Sequence, residues 1–172
     1  EMLRSLLSVG QTINSSLNLD DVLDVITKEA TGLGRAKMCS LQLLDPSSEW
    51  LETRAQYGAG VNYKQRPPLS VSESLMGSVI RRQKALQVIN VQISPQYQHQ
   101  EVARQEGLVS LLCAPLAFNG QSIGTLNVYT EQPHVFSNEE VSTLSALAEL
   151  SAVVIEKARL YERTMDVEEQ LR

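Results

Sequence analysis

Residues 108–129, with the sequence LVSLLCAPLAFNGQSIGTLNVY, decide the fold. Two apolar runs flank Asn119-Gly120, and both residues tolerate the positive φ of a tight turn, so the segment predicts a β-hairpin. In the second strand, one face is predicted to carry Ile123, Thr125, Asn127 and Tyr129, and the other Gly124, Leu126 and Val128. The first of these faces is polar and needs water or a ligand as its partner, which is a first indication of a pocket.

Composition limits the class of protein. The chain has 172 residues, of which 42% are hydrophobic, enough for the core of one domain. No apolar run reaches the roughly 18 residues that span a bilayer, and no signal peptide is evident. We therefore expect a cytoplasmic segment without membrane contact. A net charge of −5 with scattered Lys and Arg disfavours nucleic-acid binding, which requires a basic patch.

Helical patterns occupy both ends of the chain. Apolar residues recur at three- and four-residue intervals over residues 2–16. No helix breaker interrupts residues 137–172, which would form a helix about 54 Å long. A small domain cannot cover such a helix, so residues 159–172 are predicted to begin a linker helix. Because the chain begins at Glu1 and ends within this pattern, we expect a segment of a longer protein.

The segments between these ends complete the prediction. Several strand patterns lie between the terminal helices, which favours an α+β domain with an antiparallel sheet and the terminal helices packed on one face. Residues 58–68 contain two glycines and two adjacent prolines and are predicted to be a surface loop. A short helix ending near Arg82 and a polar helix from about Gln98 to Glu106 are predicted to follow.

The ordered series of motifs resembles the GAF domain family, the small-molecule-sensing modules of signalling proteins. The motifs are D-D-V-L-D-V-I, L-Q-L-L-D, S-L-M-G-S-V-I, L-Q-V-I-N-V, L-C-A-P-L with N-G-x-x-I-G-T-L, and F-S-N-E-E opening the last helix. The resemblance covers nearly the whole chain and indicates a single domain over residues 1–172. It implies a central antiparallel sheet of five or six strands, N- and C-terminal helices on one face, and short helices and loops over a cavity on the other.

A ligand in such a domain would lie between the polar sheet face and residues 75–102. The six predicted contacts are Ser40, Gln42, Tyr97, His99, Asn127 and Tyr129. Hydroxyls and amides over an apolar floor are the groups that orient ligands in pockets. The alternative is that the polar face is open to solvent.

The resemblance brings three ligands into consideration, namely haem, a covalent bilin and a cyclic nucleotide. A histidine ligates haem in some GAF domains, and His99 lies in the lid segment, but a histidine among polar residues is usually solvated, so haem is not expected. Bilin-binding relatives carry S-P-C-Y where this chain has S-P-Q-Y at residues 94–97, so no cysteine can hold a covalent bilin. Relatives that bind cyclic nucleotides carry an N-K…F…D-E signature. This chain has Phe136 and Glu139-Glu140 but no Asn-Lys pair ahead of them, so cyclic-nucleotide binding stays open but unsupported. The cofactor is left unknown.

No catalytic or metal-binding residue is predicted. The carboxylate pairs Asp20-Asp21 and Glu139-Glu140 lie at predicted helix starts, where capping explains them. Some GAF-fold enzymes reduce free methionine sulfoxide with a set of cysteines. This chain has only Cys39 and Cys113, both in apolar strand patterns, so we do not expect an enzyme.

Three functions follow from these patterns. The first is a regulatory sensor within a signalling protein, such as a two-component histidine kinase, a cyclic-dinucleotide enzyme or a transcription activator. Its terminal helices would relay the ligand state to an output domain in the same chain. The second is a dimerisation and spacer module whose cavity is filled by its own side chains, such as Met76 and Tyr97. The third is a redox domain that uses Cys39 and Cys113.

The terminal helices also predict a parallel homodimer. Residues seven apart can form a coiled-coil seam. Such spacing is shown by Leu3, Gly10 and Leu17 in the first helix and by Val153, Leu160 and Val167 in the last. A partner chain would shield the apolar residues that lie beyond the domain.

Overall fold

The computed structural model describes residues 18–33 and 36–171. The predicted first helix, residues 2–16, lies outside them. The described helices are α1 (Leu19–Thr31), α2 (Val61–Lys64), α3 (Leu75–Arg82), α4 (Gln100–Glu106) and α5 (Asn138–Leu171). The described strands are β1 (Met38–Leu44), β2 (Trp50–Tyr57), β3 (Leu69–Ser70), β4 (Leu86–Val88), β5 (Ser110–Phe118) and β6 (Gln121–Thr130).

Within these residues, six strands form one antiparallel sheet in the order β3-β2-β1-β6-β5-β4. The predicted hairpin is confirmed as β5 and β6 near the centre of the sheet. Its turn is formed by Asn119 and Gly120, which have φ angles of 50° and 77°. The α+β class with a central antiparallel sheet is therefore confirmed.

A β-bulge alters one predicted side-chain direction. The register of β5 against β6 shifts between Leu116 and Ala117, which leaves Ile123 as an extra residue without a partner on β5. A bulge bends and twists its strand, and Ile123 packs against the core on the helical side. The predicted position of Ile123 on the polar face is therefore wrong.

Side-chain caps fix the starts of α1 and α5. Asn18 Oδ1 accepts a hydrogen bond from the Asp21 N–H at 3.2 Å. The sequence pattern suggests Asp20 as the cap, but the helix begins two residues earlier than such a cap would place it, so this prediction is wrong. At α5, Ser137 Oγ accepts from the Glu140 N–H, and Glu140 Oε1 accepts from the Ser137 N–H, a capping box.

The helix-side core lies between the sheet and helices α1 and α5. Leu126 and Val128 of β6 are buried in it, as predicted. Its fully buried members include Leu23, Ile26, Leu41, Leu147 and Ile155. Beyond Ala158, the apolar side chains of α5 are exposed. Across residues 18–33 and 36–171, every helix is too short or too polar to cross a bilayer.

The cavity-side core lies on the opposite face, under α2, α3, α4 and their connecting loops. Its buried members include Leu51, Tyr63, Met76, Tyr97, Leu111 and Tyr129. The prediction that residues 58–68 form a surface loop is wrong, because this segment contains α2 and buries both Tyr63 and Arg66. Arg66 follows the C-cap of α2, and its N–H donates to Tyr63 O at 3.2 Å, a turn that keeps the two side chains together.

Candidate functional site

The polar face of the central strands is buried. Ser40 lies opposite Asn127, and Gln42 lies opposite Thr125, on the paired strands β1 and β6. Asn127 Nδ2 donates to Ser40 Oγ at 3.3 Å and to Thr125 Oγ1 at 3.2 Å. Thr125 Oγ1 donates in turn to Gln42 Oε1 at 3.0 Å. All four side chains are at most 1% exposed, so the alternative of an open solvated face is wrong.

Three tyrosines from different parts of the chain lie over this face. The Tyr129 hydroxyl on β6 is 2.9 Å from the Tyr97 hydroxyl and 3.4 Å from the Tyr63 hydroxyl. Tyr63 is also hydrogen-bonded to Ser40 Oγ at 2.7 Å. Burial raises the pKa of Tyr63 to about 12, although the nearby Arg66 charge opposes the shift. Burial also raises the pKa of Tyr129 well above its ordinary value, so both hydroxyls are neutral at pH 7.

Arg66 places one positive charge in this interior. Arg66 is 9% exposed, and its Cζ lies 4.1 Å from the centroid of the Tyr63 ring. Arg66 Nη1 donates to the Tyr97 hydroxyl at 3.2 Å, and Nη2 contacts Met76 Sδ at 3.9 Å. Nε is buried without a hydrogen-bond partner. Among the described residues, no carboxylate forms an ion pair with this guanidinium, which stays charged in proteins.

His99 lies beside Arg66 and is half-buried. Its Nε2 atom is buried and has no partner among the described residues. Burial, together with the positive charge of Arg66, lowers the pKa of His99 below its ordinary value, so its ring is neutral at pH 7. Asn127 Oδ1 is likewise buried without a partner. Buried polar atoms are normally hydrogen-bonded, so these atoms are exceptions, as are Gln56 Oε1 and Ser122 Oγ elsewhere in the described residues.

The Arg66 cavity is a space of about 10 Å³ between α3 and the loops around it. Its lining residues are Arg66, Leu69, Ser74, Leu75, Met76, Tyr97, Gln98 and His99. This volume is close to the minimum for one water molecule. A wider open cleft of about 540 Å³ lies along α5, and it contains none of the predicted site residues.

The structure brings the predicted site residues to one side of the sheet but places them at two depths. Tyr97 and His99 line the Arg66 cavity, and Tyr129 is hydrogen-bonded to Tyr97. Ser40, Gln42 and Asn127 lie deeper, bonded to one another and to their neighbours. The sequence interpretation missed Tyr63 and Arg66, which it assigned to a surface loop.

The cysteines do not form a redox pair. Cys39 and Cys113 are free and buried, and burial raises the pKa of both thiols well above the ordinary value. Cys39 lies in the helix-side core and Cys113 in the cavity-side core, on opposite faces of the sheet. This separation contradicts the redox hypothesis. Among the described residues, no group of three or more His, Cys, Asp or Glu side chains could hold a metal ion.

Sequence and structure comparisons identify relatives of this fold. The family model of the GAF domain matches residues 16–156. No curated protein sequence matches the chain significantly.

Several solved structures share the whole architecture. The GAF domain of an Acinetobacter phosphoenolpyruvate-protein phosphotransferase is 26% identical with a TM-score of 0.77, covering 94% of this chain and 97% of that one. The corresponding domain from Coxiella burnetii is 25% identical with a TM-score of 0.81, covering 94% and 96%. Free methionine-R-sulfoxide reductase from Neisseria meningitidis, 16% identical, shares the fold with a TM-score of 0.76 over 93% and 91%.

Proposed function

The chain belongs to the GAF domain family, and from that premise we propose that it is a regulatory domain that binds a small molecule in the Arg66 cavity. The observation that supports this proposal is the buried Arg66 guanidinium, which lacks a carboxylate partner among the described residues and has an unpaired Nε. A buried charge is costly unless it is paired. Replacing a buried charged group by an apolar one is often neutral or stabilising, so packing alone does not account for an arginine at this position.

The proposed context is a cytoplasmic, multidomain signalling protein. The two phosphotransferase relatives, 25–26% identical, are themselves GAF domains of named larger proteins, which supports a regulatory domain attached to an output domain. A two-component histidine kinase, a cyclic-dinucleotide enzyme and a transcription activator are the proposed output classes. The ligand would act by favouring one packing of the terminal helices over another, which requires different affinities for the two packings.

We further propose that the domain works as a parallel homodimer through its terminal helices. Leu160, Val167 and Leu171 on α5 are 60%, 54% and 83% exposed, respectively. Apolar residues at such positions on a projecting helix are well placed for a seam with a second copy. Analytical ultracentrifugation at micromolar concentration tests this, since a chain that stays monomeric when concentrated contradicts it.

The spacer hypothesis remains a second candidate, because one observation favours it. Met76 and Tyr97 are 1% and 4% exposed, and together with their neighbours they reduce the Arg66 cavity to about 10 Å³. Side chains that fill a cavity this completely are also what a ligand-free module requires.

Native mass spectrometry of the purified chain, followed by thermal-shift screening with a chemically mixed metabolite panel, separates these candidates. The sensor proposal expects a retained small molecule or a metabolite that raises the melting temperature. The matched variant is Leu75→Trp, which adds bulk at the half-buried first residue of α3, where Leu75 lines the cavity. A response absent from the wild type supports the spacer instead, and a response equal in the wild type and this variant contradicts binding in the Arg66 cavity.

A further inference from the structure

We propose that the ligand of the Arg66 cavity is a small molecule with a single carboxylate, bound side-on by the Nε–Nη2 edge of Arg66. This inference rests on the proposed function and specifies the chemistry of its ligand.

The geometry of Arg66 leaves one edge of the guanidinium available. Nη1 donates to the Tyr97 hydroxyl at 3.2 Å, so this end is already hydrogen-bonded. Nη2 contacts the thioether sulfur of Met76 at 3.9 Å, a weak acceptor, the Tyr129 hydroxyl also lies close to the guanidinium, and Nε has no partner. The N–H bonds of Nε and Nη2 run parallel along that edge, which matches the two oxygens of a carboxylate.

The charge of the surroundings selects a monoanion. The groups that face Arg66 are the hydroxyls of Tyr63, Tyr97 and Tyr129, and the pKa of both Tyr63 and Tyr129 is raised by burial. His99 is neutral because burial and Arg66 lower its pKa. The site therefore carries about one positive charge, which one carboxylate balances. A phosphate monoester carries a charge of about −1.5 to −2 at pH 7 and would leave buried negative charge without a partner.

His99 provides a second contact on the same cavity wall. Its Nε2 is buried and unpartnered, and His99 and Arg66 both line the cavity. A neutral imidazole nitrogen is either a donor or an acceptor, according to its tautomer. A hydroxyl or carbonyl beside the carboxylate of the ligand could therefore pair with His99.

Binding must displace part of the cavity wall. The volume of about 10 Å³ is close to the minimum that holds one water molecule, and a carboxylate is larger. Met76 is the side chain best suited to move, because it is unbranched and already contacts Nη2. Met76 lies in the first turn of α3, whose cap is formed by Ser74 Oγ accepting from the Gly77 N–H at 2.9 Å. Ligand entry would thus be coupled to the start of this helix.

Titration calorimetry and thermal shift with acetate, propionate and lactate test the proposal. The controls are acetamide and propionamide, which have the same shape without charge, and inorganic phosphate. We expect at least one carboxylate to bind the wild type, its amide to bind at least about 10-fold more weakly, and phosphate not to bind. Equal binding of amide and carboxylate, or preferential binding of phosphate, would overturn the inference.

Two variants of Arg66 and one control complete the design. Arg66→Met should weaken carboxylate binding by about 10- to 150-fold, the effect of losing a charge-assisted hydrogen bond. Arg66→Lys keeps the charge without the parallel N–H groups and should weaken binding by at least about 10-fold. Arg82→Met, at the exposed end of α3, should leave binding unchanged. Unchanged affinity in both Arg66 variants would contradict the proposed contact.

The outcomes also distinguish this inference from the proposed function. If a neutral metabolite stabilises the wild type while every carboxylate fails, the domain is a sensor and the carboxylate inference is wrong. If no molecule of any charge binds and native mass spectrometry shows the bare chain, both are wrong.

Discussion

Leu126 and Asn127 are neighbours on β6 and both are fully buried, yet they face different interiors. Leu126 lies among the aliphatic side chains that α1 and α5 place against the sheet. Asn127 donates to Ser40 and Thr125, beneath the tyrosines of the other face. Burial of apolar area stabilises the first side by about 25 cal/mol per Å². On the second side, hydrogen bonds largely offset the loss of water, so equal burial contributes less stability there.

The polar groups of the two sides also differ in their partners. On the helical side, Thr27 and Ser151 donate to Leu23 O and Leu147 O of their own helices. On the cavity side, the Tyr63, Tyr97 and Tyr129 hydroxyls connect segments that are distant in sequence. Bonds within a helix survive a shift of that helix, whereas bonds between elements do not. The cavity side is therefore the face on which a binding event can change the arrangement of elements.

The largest expected effect is on the helical side. Leu126→Asp should lower the free energy of unfolding by more than about 4 kcal/mol, because the carboxylate would lose water without gaining a partner. Chemical denaturation measures the change. Ile93→Asp is the matched control, since Ile93 is 73% exposed and its replacement should cost less than about 0.5 kcal/mol. Similar stability of Leu126→Asp and the wild type would mean that the two faces have been assigned the wrong way round.

Alkaline pH should weaken the cavity side. The pKa of Tyr63 is raised by burial from 10.0 to about 12, so the folded state holds this proton more tightly than the unfolded state. Its contribution is complete below pH 10 and is lost as the pH rises towards 12, at about 1.4 kcal/mol per pH unit. Urea unfolding near pH 9 and near pH 11 measures the loss. Tyr63→Phe should remove the part of the alkaline stability loss that comes from this hydroxyl. Tyr57→Phe, at an exposed position, should leave that loss unchanged.

A single hydroxyl in the tyrosine group should matter less than a buried leucine. Tyr129→Phe removes the hydrogen bonds to Tyr97 and Tyr63, but these two retain Arg66 and Ser40 as partners. We expect a loss of about 1–2 kcal/mol in the free energy of unfolding. Thermal and urea unfolding measure it. A loss as large as that of Leu126→Asp would show that both sides contribute equally to stability.

The smallest effect is expected at Arg66. Arg66→Met replaces an unpaired buried charge with an apolar side chain of similar length, a change that is often neutral or stabilising. We expect the free energy of unfolding to stay within about 1 kcal/mol of the wild type or to rise. Arg82→Met, on the surface, provides the baseline. A loss above about 2 kcal/mol would indicate that Arg66 stabilises the fold and is not reserved for a ligand.

Local patterns account for the parts of this fold that the sequence predicts. Asn119-Gly120 predicts the hairpin because the turn depends on two residues, and strict alternation predicts the polar face of β6. Ile123 departs from the alternation because a bulge depends on the partner strand. Tyr63 and Arg66 lie between glycines and prolines, which are typical of surface loops. The volume of the Arg66 cavity depends on how remote segments pack, and no periodicity in the sequence encodes it.

The length of α5 gives small movements of the domain a mechanical advantage. Its last buried residue is Ala158, and the helix continues to Leu171. At 1.5 Å per residue this arm is about 20 Å long. A tilt of about 10° at Ala158 would swing its tip sideways by about 3.5 Å, roughly two thirds of the helical pitch. A repacking too slight to break the core would therefore be amplified at the end of the arm.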